Sequence, residues 1–192
     1  MYARHKTGRC RNGAPLGQDP KKKRGTLFQR IGVQFQEGDY QKEIRVSELC
    51  EETARLYRSL ADWRELCEQF GIGDKANTAV KSLSGGERQR LFIVLALIPQ
   101  PELVFLDELT TGLDAKARRG VWKTLEGLKE QGLTIFLTSH FMDEVEALCD
   151  EICILKKGTP VFRGTVEQAK TQCGCERFED AYLQLSDEEV DA

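Results

Sequence analysis

Two adjacent acidic residues, Asp107 and Glu108, directly follow a short apolar run at residues 103–106. Such a run predicts a strand buried on both faces, which ends with two carboxylates at the edge of a sheet. Two unpartnered carboxylates there are costly, so a metal ion is their natural partner. In this interpretation Asp107 holds magnesium on a bound nucleotide, often through water, while Glu108 positions an attacking water and accepts its proton. Taken alone, a strand that merely ends in exposed acids explains the pair equally well.

A second group of chemical residues opens a predicted helix. Residues 83–90 place Ser84, Gly85 and Gly86 at its first turn. The start of a helix offers unpaired N–H groups and the positive end of the helix dipole, and both favour a phosphate. Helix capping accounts for Ser84 and for one glycine, but it does not account for the whole octet. We therefore interpret this turn as a phosphate-binding site.

The elements that position these residues alternate between strand and helix in the second half of the chain. Helical spacing of apolar residues predicts helices at 47–60, at 63–70 and from 85 to 98. The pattern then predicts, in order, a strand at 103–106, a helix at 115–130, a strand at 134–138, a helix at 142–148, a strand at 152–155 and a hairpin strand at 159–163. This alternation predicts an α/β fold with a mostly parallel sheet, whose ligand lies at the carboxyl ends of the strands.

Composition and charge limit the function classes. The 192 residues carry a formal net charge of −3 and predict one globular domain. No apolar run reaches the roughly 18 residues that span a bilayer, so work at a membrane requires a partner that spans it. The basic run at residues 21–24 is interpreted as a solvated loop, with nucleic-acid binding as the alternative. Seven cysteines without C-x-x-C spacing predict reduced thiols, with a metal site as the lesser alternative.

The order of the motifs resembles that of the ABC ATPases. Residues 83–90 resemble their signature motif, with Glu87 where glutamine is commoner, and residues 103–108 resemble Walker B. Three further segments are similar to the Q-loop, the D-loop and the H-loop, namely residues 31–36, 110–114 and 138–140. The resemblance implies catalytic roles for Glu108, His140 and Gln36, nucleotide-binding roles for Ser84, Gly85, Gly86 and Asp114, and a magnesium site at Asp107 and Gln36.

The resemblance also implies an architecture. It is the P-loop NTPase-like ABC ATPase fold, with a parallel sheet and a helical signature subdomain. On this chain the ATPase domain is expected at residues 31–165, after an irregular basic segment at 1–30 and before a short tail at 166–192. Within the domain, the helical subdomain is expected at about residues 45–100 and the catalytic α/β part at about 101–165.

Function and partners follow from the same resemblance. The implied cofactors are ATP and Mg²⁺. The implied partners are a second ABC ATPase domain in a head-to-tail dimer and an integral membrane permease, and no nucleic acid is expected. Such a subunit is cytoplasmic, lies at the inner face of the cell membrane and couples ATP hydrolysis to transport. Residues 178–183 are similar to the tail of ATPases that drive the export of drugs, antibiotics or lipids. An export ATPase is therefore the expected function.

One motif that the family requires does not occur in the sequence. No G-x-x-x-x-G-K-[ST] is found, and the early Lys6 and Thr7 follow His5 where a glycine is needed. We expect the Walker A strand, loop and helix to be missing, apolar surface to be exposed and the chain to be inactive alone. The alternative function is a non-catalytic partner that supplies its signature motif in trans. Two departures are smaller: Leu109 replaces the usual proline, and Glu87 is expected to point along its helix away from the ligand.

Overall fold

The computed structural model describes residues 14–34 and 43–186, so the predicted site residue Gln36 lies outside the described residues. The helices in these residues are α1 (Arg24–Leu27), α2 (Val46–Ala54), α3 (Trp63–Gln69), α4 (Gly85–Leu97), α5 (Ala115–Glu130), α6 (Met142–Leu148), α7 (Val166–Cys173) and α8 (Phe178–Ser186). The strands are β1 (Ile31–Val33), β2 (Leu103–Asp107), β3 (Thr134–Thr138), β4 (Ile152–Lys156) and β5 (Thr159–Gly164). Short 3-10 turns lie at Pro15–Gly17, Gly73–Lys75 and Val80–Ser82.

A parallel sheet in the order β1-β2-β3 forms the centre of the molecule. Val104 and Leu106 lie on one face of β2 and are fully buried, and Leu103 on the opposite face is buried as well, as expected for a strand covered on both faces. All three strands run the same way, so their carboxyl ends meet at one edge. The predicted parallel α/β fold is confirmed, and β2 and β3 lie where the apolar runs predict them.

Helix α4 packs directly against this sheet. Leu91, Ile93 and Val94 are completely buried, so the second half of the helix belongs to the main core. The contact with β1 is close, because a Cβ atom added at Gly32 would meet the carbonyl oxygen of Ala96 at 2.0 Å. Only glycine permits this approach. The helix that begins at the signature turn is therefore fixed to the sheet that carries the acidic residues.

A second, smaller sheet is antiparallel. Strands β4 and β5 form the predicted hairpin, and helices α7 and α8 cover it. Its core is a separate cluster that includes Ile152, Ile154 and Phe178. In the part of the chain that the structure describes, β3 is hydrogen-bonded to β2 and the β4–β5 hairpin stands as a sheet of its own.

The helix predicted at residues 47–60 ends early. Helix α2 stops at Ala54, and Leu56 and Leu60, whose helical spacing extended the prediction to residue 60, are 70% and 45% exposed. The physical reason is a turn: the Leu56 N–H donates to the carbonyl of Thr53, and the Gln29 side chain donates to the carbonyl of Leu56. A side chain distant in sequence thus satisfies backbone groups that a continuing helix would pair internally.

Three further observations bear on the predictions. The basic segment expected to be irregular contains α1, and Leu27 of this helix is buried. Cys50, Cys67, Cys149, Cys153, Cys173 and Cys175 are free thiols, as predicted for these six residues. Among the described helices, none is long and apolar enough to cross a membrane.

Candidate functional site

The carboxyl edge of the parallel sheet brings Asp107 and Thr138 together. These residues are paired in the register of β2 and β3, and the Thr138 hydroxyl donates to Oδ1 of Asp107. On the other side, Nε2 of Gln34 donates to the backbone carbonyl of Asp107 at 3.3 Å. Asp107 itself is exposed. Its carboxylate is therefore oriented by a neighbouring strand and remains accessible to a ligand.

Glu108 and His140 lie next to each other at the same edge. Nδ1 of His140 is 3.6 Å from Oε1 of Glu108. The Glu108 backbone is in the left-handed region, with φ of 47°, and its N–H donates to the carbonyl of Thr138 at 3.0 Å. A non-glycine residue in this region costs about 1–3 kcal/mol, and such strain concentrates at functional sites. The structure thus unites two residues whose catalytic roles were predicted from separate motifs.

The donor set at this edge suits magnesium carried by a nucleotide. Asp107, Glu108 and Thr138 offer oxygen atoms, which magnesium prefers. In residues 14–34 and 43–186, no group of three or more His, Cys, Asp and Glu residues could hold a metal by itself. Magnesium usually keeps several waters and takes one or two carboxylates together with substrate phosphates. The arrangement fits this type of site, and the part predicted for Gln36 lies outside the described residues.

The signature turn is a capped helix start. Ser84 is the N-cap of α4, and its hydroxyl accepts the Glu87 N–H at 3.2 Å. The Glu87 carboxylate in turn accepts the Ser84 N–H at 2.8 Å, and Nζ of Lys75 lies 3.2 Å from it. The expectation that the Glu87 side chain points along its helix is therefore wrong. A capping box turns the side chain back, because it satisfies two unpaired backbone donors at once.

These contacts change the electrostatics of the turn. The pKa of Glu87 falls from 4.5 to about 2, first because the backbone N–H of Ser84 donates to the carboxylate, and then because of the Ser84 hydroxyl and Lys75. The pairing also raises the pKa of Lys75. A carboxylate that stays ionised at neutral pH thus lies beside the predicted phosphate site and carries its own counter-charge.

The two glycines of the signature have different surroundings. A Cβ atom at Gly85 would have no neighbour within 4 Å, whereas one at Gly86 would meet Cδ2 of Leu113 at 3.0 Å and the carbonyl of Gly112 at 3.4 Å. Gly86 therefore permits close packing against the predicted D-loop, and Gly85 leaves open space above the helix start. That open space is what the approach of a phosphate to the backbone requires.

Asp114 caps the helix that follows the predicted D-loop. Its Oδ1 accepts the backbone N–H groups of Lys116 and Ala117, each at 2.9 Å. The N–H groups of Ala117 and then Lys116 lower the pKa of this carboxyl. Asp114 is exposed and lies one residue after Leu113, which neighbours Gly86. The predicted D-loop segment therefore lies beside the predicted signature turn of the same chain.

Sequence reasoning missed Gln89 and Glu144. Gln89 donates to the carbonyls of Glu108 and Leu109. Glu144 is completely buried and accepts the Thr110 hydroxyl at 2.7 Å and the Trp122 indole N–H at 3.3 Å. A signal existed for Gln89. Residues three and four apart share a helix face, so Gln89 is expected on the same face of α4 as the signature glycines Gly85 and Gly86. No sequence signal pairs Glu144 with Thr110, since that contact depends on tertiary packing.

An acidic sheet edge, a left-handed turn at Glu108 and a capped signature turn thus lie together in one α/β domain. The family model described as ABC transporter matches residues 4–111, which is more than half of the 192 residues. The chain belongs to the ABC transporter family. The chain is similar to the daunorubicin resistance ATP-binding protein DrrA3 of Streptomyces coeruleorubidus, at 33% identity over 168 residues, covering 85% of this chain and 53% of that protein.

A further relative and one solved structure are also similar to the chain. The Nod factor export ATP-binding protein I of Rhizobium johnstonii is 45% identical over 111 residues, covering 57% of this chain and 36% of that protein. The chain thus spans about half or less of the length of these two relatives. The solved structure of an ATP-binding subunit of an ABC transporter superposes with a TM-score of 0.78 at 22% identity, covering 88% of this chain and 74% of that one. This last likeness supports the fold.

The capping box at the signature turn yields a prediction about pH. Because the folded pKa of Glu87 is depressed, its contribution to stability is complete above pH 4.5 and is lost as pH falls toward about 2. Above pH 5, Glu87→Gln is expected to lower the free energy of unfolding by about 0.3–1 kcal/mol, the value of a charge at a helix N-terminus. Urea unfolding of both proteins between pH 7 and pH 2.5 should show this difference shrinking toward zero.

Glu126→Gln is the matched control, because Glu126 is exposed in the middle of α5. A difference between wild type and Glu87→Gln that is equal at pH 7 and pH 2.5 would show that ionised Glu87 does not cap the helix.

Proposed function

We propose that this chain provides the catalytic sheet edge and the signature face of an ATP-hydrolysing subunit that drives export. The adjacency of Glu108 and His140 beside Asp107 carries the proposal. Export is favoured by the names of the relatives, which refer to daunorubicin resistance and to Nod factor export. In this function the subunit is bound at the inner face of the membrane to a permease that spans it, and the permease selects the substrate.

Each residue of the edge has a proposed task. Glu108 orients a water molecule toward the terminal phosphate of ATP and accepts its proton. His140, 3.6 Å from Glu108, contacts the same phosphate group and keeps the carboxylate facing it. Magnesium, when bound, neutralises charge that develops on the phosphates. Asp107, with its carboxylate oriented by Thr138, holds that ion through water, and Gln36 is proposed to contribute a further ligand.

The phosphates themselves need a loop whose backbone N–H groups and lysine hold them. No G-x-x-x-x-G-K-[ST] occurs in the sequence. We propose that a competent site takes this loop from polypeptide outside these 192 residues and pairs two ATPase domains head to tail. In that arrangement, Ser84, Gly85 and Gly86 of one domain face a nucleotide held by the other, and Asp114 lies at the same interface. Exposed Ser84 and the open space above Gly85 support this assignment.

The role of Glu108 predicts a kinetic result. With a family segment that carries the phosphate loop fused ahead of these residues, the protein should hydrolyse ATP. Glu108→Gln should then lower kcat by about 10²–10⁴-fold, the contribution of a general base. ATP binding, measured by calorimetry, should persist because the loop and Asp107 still hold the nucleotide. Glu126→Gln, an exposed change of the same charge on α5, should leave kcat unaltered; equal turnover in both variants would remove Glu108 from this role.

The second candidate function, a partner that lends its signature face, is favoured by the intact capped signature turn in a sequence that does not contain the pattern G-x-x-x-x-G-K-[ST]. A complete homologous ATPase mixed with the chain should then show activity that rises with added chain and saturates. Ser84→Arg should remove this rise, because it puts bulk and charge at the turn. Ser59→Arg, at an exposed position, should retain it. No rise with the folded wild-type chain would exclude the lending function.

A further inference from the structure

The signature helix holds the backbone of the candidate base from within the same chain. We propose that Gln89 is a positioning residue for Glu108, which fixes the left-handed turn that presents the carboxylate to His140. The proposal deepens the function proposed above and rests on it for the importance of Glu108. The structural claim, that the Gln89 amide determines the conformation of this turn, stands on contacts within the chain.

The contacts are specific to a side-chain amide. Nε2 of Gln89 lies 3.0 Å from the carbonyl oxygen of Glu108 and 3.1 Å from that of Leu109. An amide group carries two N–H donors, so it can serve both carbonyls at once. Gln89 is half-buried, and Leu109 is completely buried. The two carbonyls would otherwise lose a partner in a poorly solvated place, which is costly.

The turn needs such support because its conformation is unfavourable. Glu108 has φ of 47°, and a residue with a side chain persists there only when its surroundings hold it. Two backbone bonds contribute: the Glu108 N–H donates to the carbonyl of Thr138, and the Thr111 N–H donates to the carbonyl of Glu108. The Gln89 amide adds hydrogen bonds that connect the turn at Glu108 to α4, and neither of the two backbone bonds involves that helix.

This position of Gln89 links two parts of the proposed site. Gln89 lies four residues after Gly85 and three after Gly86, on the same face of α4. Buried residues in the second half of α4 anchor the helix, so its first two turns are expected to move together. A displacement of the signature turn by a phosphate is therefore transmitted through Gln89 to the backbone of Glu108.

Gln89 could instead act by packing alone, and two substitutions separate these roles. Gln89→Met preserves length, volume and helix propensity but has no donor, whereas Gln89→Lys preserves length and helix propensity and keeps a donor. A packing role tolerates Met at least as well as Lys. A donor role requires the reverse order, in which Lys retains the native turn and Met loses it.

The experiment measures amide hydrogen exchange by NMR in the 192-residue chain without nucleotide. In Gln89→Met, the amides of Glu108 and Thr111 should exchange about tenfold faster than in wild type, which is the effect of losing a buried hydrogen bond. Gln89→Lys should exchange close to the wild-type rate. Leu125, fully buried in α5, reports whether each variant keeps its global fold. Gln69→Met, an exposed change of the same type on α3, is the control and should leave both amides unaffected.

Native exchange at Glu108 and Thr111 in Gln89→Met would overturn the proposal, as would equal acceleration in the Met and Lys variants. If Gln89→Met does not fold, Gln89→Ala removes the donor without adding apolar surface and takes its place in the comparison. Because no nucleotide is present, failure of this test is distinct from failure of ATP hydrolysis in the fusion protein.

Discussion

The parallel register of β2 and β3 is the constraint on which the site depends. Asp107 lies opposite Thr138, so the last residues of both strands end at one edge. This pairing allows the Glu108 N–H to donate to the carbonyl of Thr138 and brings Glu108 within reach of His140. A slip of one residue would turn every side chain of a strand to the other face. The buried side chains of β2 exclude such a slip, and hydrophobic packing thereby fixes the chemical geometry.

Helix α4 carries this constraint to the signature turn. Its backbone lies against β1 at Gly32, and Gln89 binds the carbonyls that follow β2. Arg90 donates to the carbonyls of Phe70 and Gly71, which connects the same helix to α3. Motifs that are separate in sequence are therefore parts of one packed unit. Changes at the signature turn and at the acidic edge are expected to be coupled, since close-packed cores transmit small displacements.

Much of this could be predicted from local sequence. Helix α5 and strand β3 have the predicted bounds, because their apolar periodicity is strong and glycine or an N-cap residue marks their ends. The adjacency of Glu108 and His140 also follows from sequence, once parallel strands are predicted to end at one edge. The local sequence pattern was sufficient to predict an element's bounds wherever that element's own apolar periodicity determined which of its residues are buried.

Other features depended on contacts that a sequence does not display. The end of α2 is determined by Gln29, which is distant in the chain. The Glu87 side chain could extend into solvent or turn back into a capping box, and the ion pair with Lys75 stabilises the second orientation. The helical spacing places Gln89 on the face of the signature glycines, but its two acceptors are backbone carbonyls, so the contact itself carries no residue-specific signal. These features belong to tertiary packing.

The central claim is that Glu108 lies beside His140 at the sheet edge. The chain contains two histidines, so proton NMR of the imidazole rings observes His140 with little overlap. At fixed pH, Glu108→Gln should move the ring resonances of His140, because a charge 3.6 Å away is removed, whereas Glu126→Gln, an exposed change on α5, should leave them in place. Unmoved His140 resonances in a folded Glu108→Gln protein would contradict the account.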